Sequence, residues 1–270
     1  MEPGYIAFFD SGIGGLTLLK ECAQQLAGES FLYFGDNANA PYGNKSPEEI
    51  ERLTLTAFGY LSRFPLKAAV LACNTVTAEC AAALRARCPF PVLGVEPALK
   101  PAAKACKNVL VLATRATLSS KKFRALAESV SGACRFTFYC PRNLAGEIEN
   151  NIFDLSKVDL SHHLPEGEQH FDGAVLGCTH YIFLKEQIAA RLRCPVFDGN
   201  AGTADHLSKI LGKIGQKEKS GYGGLSINTV KQEESLFDKM AINGDFCRKN
   251  AVFFVGNAAF KNKTVFFARL

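Results

Sequence analysis

The chain has 270 residues, 47% of them hydrophobic and 21% charged, which is enough apolar material for a substantial core and excludes disorder as its main state. Its net charge of +5 is mild and its lysines and arginines are scattered, so a nucleic-acid surface is not expected, whereas a small anionic ligand is compatible. The ten cysteines include no CxxC pair, which argues against a zinc ribbon or thioredoxin motif. The N-terminal segment MEPGYIAFFDSG lacks a signal-peptide pattern, so a reducing, cytoplasmic setting with mostly buried thiols is expected.

In chain order, short apolar runs alternate with helix-period segments, the pattern of βαβ units on a parallel sheet. Strands are expected at Tyr5–Phe9, Phe31–Phe34, Ala68–Ala72, Val109–Leu112, Arg135–Tyr139 and Gly173–Leu176. Helices are expected at Leu16–Leu26, Ser46–Leu61, Thr77–Arg87, Leu118–Val130 and Leu184–Leu192. The second is the best signalled: Ser46 and Glu49 form a capping-box pair, Pro47 takes the first helical position, and Ile50, Leu53, Ala57 and Leu61 share a face. Further on, His206–Leu211 reads as a helix, residues 216–224 as a polar connection and Glu233–Ile242 as helical. AVFFV and TVFFARL read as strands or packed tails. The longest apolar runs are of strand length, so no membrane span is expected.

The strands repeat. A shift of 104 residues carries YIAFFD onto VLVLAT and FLYF onto the strand ending FTFY, and a shift of 105 carries AVLACNT onto AVLGCTH. This predicts an α/β fold of two pseudo-symmetric lobes, each a small parallel sheet flanked by helices, with a site in the cleft between them. The first lobe would take residues 1–95 and a returning segment 208–270, and the second residues 96–207. Cys73 and Cys178 then become equivalent, each just past the C-terminal end of a strand and at the start of a helix, where open α/β sheets bind ligands.

Two opposed thiols suit a reaction in which one thiolate removes a proton and the other thiol delivers one to the opposite face, inverting a stereocentre. A redox couple or a nucleophile with a resolving cysteine is the alternative chemistry for the pair. A free thiol ionises near pH 8.5, so each needs a partner that accepts or relays its proton. Asp10, ending the first strand, and His180, two residues beyond Cys178, are candidates. No spacing points to a metal. The glycines of DSGIGG do not complete a dinucleotide fingerprint, and His162, His163 and His170 lie in a polar loop without an assigned role.

DSGIGGL at Asp10–Leu16, GDNANAPYG at Gly35–Gly43, ACNT at Ala72–Thr75 and GCTHY at Gly177–Tyr181 together resemble, in order and spacing, the motifs of bacterial glutamate racemase. The resemblance covers roughly residues 5–210. It implies interconversion of L- and D-glutamate without a cofactor, supplying D-glutamate for peptidoglycan and hence for cell-wall biogenesis and cell shape. It also implies that Cys73 acts as base toward D-glutamate and Cys178 toward L-glutamate. The same resemblance lines the substrate site with Asp10, Ser11, Tyr42, Gly43, Asn74, Thr75, Thr179 and His180, and the repeat adds Thr117. Hydroxyls, amides and helix-start N–H groups can hold a dicarboxylate without an arginine clamp.

In the family an acidic residue of the second half supports the histidine and thiol of that side. Here the segment runs from Cys140 to Glu149 with one extra residue after Cys-Pro, which aligns Glu149 with the acidic position and leaves Glu147 as the alternative. The chain also has Ile182 and Phe183 where the family has Pro-Leu. Glutamate is the expected partner, with no nucleic acid or membrane, and homodimerisation is left open. Racemisation of aspartate or another acidic amino acid, or a two-lobed binding protein without catalysis, are the alternative readings.

Overall fold

The computed structural model describes residues 4–26, 28–132, 134–165, 170–219 and 251–254. The first half runs β1 (Tyr5–Asp10), α1 (Leu16–Gln25), β2 (Phe31–Gly35), α2 (Pro47–Leu61), β3 (Leu66–Leu71), α3 (Asn74–Arg87) and β4 (Val92–Gly94). The second runs α4 (Leu99–Ala105), β5 (Asn108–Ala113), α5 (Arg115–Ser119), α6 (Lys121–Glu128), β6 (Arg135–Tyr139), α7 (Leu144–Asn150), β7 (Gly173–Gly177), α8 (Lys185–Leu192) and β8 (Val196–Phe197). Then follow α9 (Asn200–Lys219) and β9 (Ala251–Phe254), with short 3-10 turns at Tyr42–Asn44 and Thr179–Leu184 among those in the loops.

The strands form two parallel sheets, in the orders β4-β3-β1-β2-β9 and β6-β5-β7-β8. Under the internal repeat, β1 to β4 correspond to β5 to β8, and the second order read backwards, β8-β7-β5-β6, is the first order without β9. The repeat seen in the sequence is therefore a repeat of topology. β9 adds to the free edge of β2, pairing Leu32 with Ala251 and Gly35 with Phe254.

Strand alternation distributes the side chains over three clusters. Ile6 and Phe8 of β1, Ala68 and Val70 of β3, Leu110 and Leu112 of β5, and Ala174 and Leu176 of β7 all enter one buried cluster, so one face of each sheet shares a core. The alternate residues Ala7, Phe9, Ala69 and Leu71 pack under α2 and α3, and Val109, Val111 and Val175 pack with Phe123. The strands are apolar on both faces because helices cover both. The continuous cluster joins the two lobes and holds the loops after β1, β3 and β7 against one another.

Most expected elements lie within a residue or two of their observed bounds. The capping of α2 is as read, with the Ser46 hydroxyl accepting the Glu49 N–H. Four expectations differ, the first being α3, which begins at Asn74 rather than Thr77. The helix expected over Leu118–Val130 is two, α5 and α6. Ser120 between them is extended and accepts the Phe123 N–H, so its side chain restarts the helix. The helix expected at His206–Leu211 begins at Asn200, whose N–H bonds the Asp198 carboxylate, and continues to Lys219. Residues 216–219, read as connection, are Gln, Lys, Glu and Lys, polar but good helix formers. Strands β4 and β8 escaped detection because three and two residues are too short to show a period. The reading of AVFFV holds for residues 251–254, while Glu233–Ile242, residues 220–224 and TVFFARL lie outside the described residues. No helix among the described residues is long and apolar enough to cross a membrane.

Candidate active site

Cys73 and Cys178 occupy equivalent places. Each is extended and serves as the residue before a helical segment, Cys73 ahead of α3 and Cys178 ahead of the 3-10 turn Thr179–Leu184. Both are buried, and they lie near enough that a charge on Cys178 would help push the Cys73 thiol up.

Their partners differ. The Cys73 sulfur lies 3.5 Å from Ser11 Oγ. Burial first, and the Asp10 carboxylate second, push its thiol up to about 12, so it rests protonated. The Cys178 sulfur lies 3.9 Å from His180 Nδ1, and His180 Nε2 lies 2.6 Å from Glu149 Oε1. Burial pushes the imidazolium down, but hydrogen bonds to Cys178 and Glu149 and the Glu149 charge outweigh it. His180 therefore holds its proton well above the ordinary histidine range. One thiol is paired with a hydroxyl, the other with a buried imidazole and carboxylate.

Glu149 sits on α7, in the second lobe, yet it is bound by the first. Its Oε1 accepts the Ile13 N–H at 2.8 Å and its Oε2 accepts from Asn37 Nδ2 at 3.1 Å. This approach needs the glycines of the loop after β1. A Cβ on Gly12 would overlap the Glu149 carboxylate, and one on Gly14 would come within 2.6 Å of His180 Nδ1 and Thr179 Oγ1. Glu147, the alternative acidic candidate, points elsewhere and lies 2.9 Å from His163 Nε2. His163, read from the sequence as part of a polar loop, is buried.

Asp10 is fully buried, with Oδ1 accepting the Gly12 N–H at 2.7 Å and Oδ2 accepting from the Thr179 hydroxyl at 3.2 Å. Burial pushes its carboxyl up to about 6, against the pull of His180. Thr75 of α3 stands 3.0 Å from Thr114 and 3.4 Å from Thr117, hydroxyl to hydroxyl, so α3 and α5 meet across the cleft through three hydroxyls. Asn74 is buried with its Oδ1 unpartnered among the described residues, an open acceptor beside Cys73. The Tyr42 hydroxyl donates to Asp36 at 2.5 Å, and Gly43 follows it in a 3-10 turn packed on α5.

The structure thus gathers the sequence candidates Asp10, Ser11, Tyr42, Gly43, Cys73, Asn74, Thr75, Thr117, Glu149, Cys178, Thr179 and His180 around the facing loop ends of the two sheets. It adds Asp36, Asn37 and Thr114. Asp36 and Asn37 lie inside the GDNANAPYG segment, which was the available signal. Thr114 had only its position before a helix. Among the described residues, no group of three or more His, Cys, Asp or Glu has metal-ligating geometry.

The family model for Asp/Glu/hydantoin racemases matches residues 14–207. A glutamate racemase of Clostridium acetobutylicum is 40% identical over 216 residues, covering 77% of this chain and 84% of that protein. One of Clostridium perfringens is 36% identical over 246 residues, covering 86% and 93%. The chain belongs to the glutamate racemase family. Solved racemases share its fold. That of Bacillus anthracis superposes with a TM-score of 0.69 at 33% identity, over 80% of this chain and 84% of that one. The Escherichia coli racemase, solved with L-glutamate and the activator UDP-MurNAc-ala, gives 0.68 at 31% identity, over 78% and 83%. As a member of this family the protein is an amino-acid racemase, an isomerase acting on a small molecule.

Proposed function

We propose that the protein interconverts L- and D-glutamate without a cofactor by a two-cysteine proton transfer, in the cytoplasm, where the D-glutamate supplies peptidoglycan synthesis. The carrying observation is the pair of buried thiols at equivalent loop ends, one protonated beside Ser11 and one beside a His180 imidazolium. With L-glutamate bound, the Cys178 thiolate takes the α-proton, and the electron pair remains on the α-carbon and its carboxylate. The Cys73 thiol then gives its proton to the opposite face, leaving Cys73 as thiolate and Cys178 as thiol. D-glutamate runs the same steps backwards.

His180 is the group placed to exchange a proton with Cys178, and Asp10 is the acidic group beside Cys73. The unpartnered Asn74 oxygen is a suitable acceptor for the substrate ammonium, and the Ser11, Thr75, Thr114 and Thr117 hydroxyls, with the backbone N–H groups of Tyr42, Gly43 and Thr179, are suitable for its carboxylates. We divide the chain into lobes of residues 1–95 with 208–270, and 96–207. The nine described cysteines are all free, in keeping with a reducing compartment.

The test is to incubate the purified protein with L-glutamate in deuterium oxide without pyridoxal phosphate. Loss of optical rotation with deuterium entering the α-position is expected. Absence of both would overturn the racemase reading. Cys73→Ser and Cys178→Ser should each lower racemisation by at least about a hundredfold in both directions, and full activity of either would refute the two-thiol assignment.

A further inference from the structure

Resting on the two-thiol reading above, we propose that Asn37 is a positioning residue: its side-chain amide, donated from the first lobe, holds the second-lobe carboxylate Glu149 in the orientation that lets His180 serve Cys178. The relay on the Cys178 side is thereby complete only while the two lobes are together.

The geometry carries this. Three contacts of Glu149 bear on this: His180 and the Ile13 N–H on Oε1, and Asn37 Nδ2 on Oε2. His180 is its only second-lobe partner of the three. A carboxylate accepts and does not donate, so the amide orientation of Asn37 is dictated by Glu149, and its Oδ1 finds no partner among the described residues. Among the described residues the amide is therefore committed to the carboxylate.

Without the Oε2 contact, Glu149 is held less firmly about its last torsion, where a carboxylate has a broad minimum, and the alignment of its 2.6 Å bond to His180 is loosened. Asn37 follows Asp36, whose N–H bonds the carbonyl of Asp10 at 3.0 Å. The same segment thus ties to the backbone of Asp10 and to the carboxylate of Glu149. If the second lobe moves away, Ile13 and Asn37 leave Glu149 together, because both belong to loops of the first sheet.

Two substitutions separate positioning from simple packing. Asn37→Asp keeps the shape and reverses the chemistry: two carboxylates would face one another, and both cannot stay ionised at that separation. Asn37→Ala loses shape and donor but adds no charge. A packing role predicts that the isosteric Asp is the milder change. Positioning predicts the reverse, with kcat lowered about tenfold in Asn37→Ala and at least about tenfold further in Asn37→Asp, while KM moves by less than about threefold.

The isotope effects should also become unequal. With Cys178 transfer slowed, α-deuterated L-glutamate shows the larger effect, because Cys178 moves the deuteron itself. α-Deuterated D-glutamate shows the smaller one, because Cys73 takes the deuteron and the slow step delivers a proton. Near-UV circular dichroism of both variants should match the unsubstituted protein. Asn37→Asp as active as Asn37→Ala, or isotope effects equal in the two directions, would overturn the proposal. An unsubstituted protein that fails to racemise would instead overturn the functional reading on which it rests.

Discussion

Asp10→Asn should make the protein more stable and less active. Asp10 is fully buried, and burial raises its carboxyl from 3.8 to about 6. A carboxyl whose folded value lies above its unfolded one binds an extra proton on folding between those values, so the native state loses stability as pH rises from about 4 to 6. A shift of roughly two units corresponds to roughly 3 kcal/mol at neutral pH. The amide removes that cost without breaking a hydrogen bond. Its oxygen can keep the Gly12 N–H, and its NH2 can donate to Thr179, whose hydroxyl turns from donor to acceptor.

Urea unfolding of both proteins at pH 4, 6 and 8 reads this directly. The variant should gain little at pH 4, where native Asp10 is already protonated, and up to about 3 kcal/mol at pH 8. Racemisation should fall by about a hundredfold or more, since the acidic group beside Cys73 is gone. A difference in stability that does not change with pH, or a variant less stable at pH 8, would refute the claim that Asp10 is held against its desolvation cost for the sake of the site.

Three further outcomes follow from the same geometry. Glu149→Gln keeps the hydrogen-bonding shape but removes the charge that holds the His180 proton. Its imidazole resonances should then titrate at lower pH, with kcat down by about ten- to a hundredfold. The stability contributed by protonated His180 is present below its unfolded value of about 6.5 and lost as pH rises through its raised folded value, so this variant should lose most stability on the acid side. Glu147→Ala should leave kcat unchanged while costing about 1–3 kcal/mol in urea unfolding, because it strips buried His163 of its partner. Gly14→Ala forces a methyl against His180 and Thr179 and should lower both stability, by about 1–3 kcal/mol, and turnover; wild-type values for both would contradict the close approach.

Much of the molecule was legible because its signals are local. Strands β1, β3, β5 and β7 announce themselves as apolar runs, since helices on both faces leave no polar alternation, and the Ser46 cap and Pro47 mark the start of α2 by short-range chemistry. The internal repeat exposed Cys73 and Cys178 because equivalent loop ends carry similar residues.

What failed were choices settled by packing. Ser120 breaks a continuous helical pattern with a single hydroxyl. Strands β4 and β8 gain their identity only from pairing with β3 and β7. Residues two apart on a helix lie about 200° apart around its axis, so only the way α7 packs turns Glu149, rather than Glu147, toward His180.

Local periodicity and short motifs were enough to read the α/β class and its doubled arrangement, and to single out the two cysteines and most of the residues around them as candidates. Packing settled which acid lies against His180, that Asn37 and the Ile13 N–H reach Glu149 from the opposite lobe, and that the two thiols rest in different surroundings. Those outcomes depend on contacts between residues distant in the chain, 136 and 112 positions for the first-lobe bonds to Glu149 and 62 between Ser11 and Cys73, and on burial, which raises the proton affinity of Asp10 and Cys73 and which no linear pattern encodes.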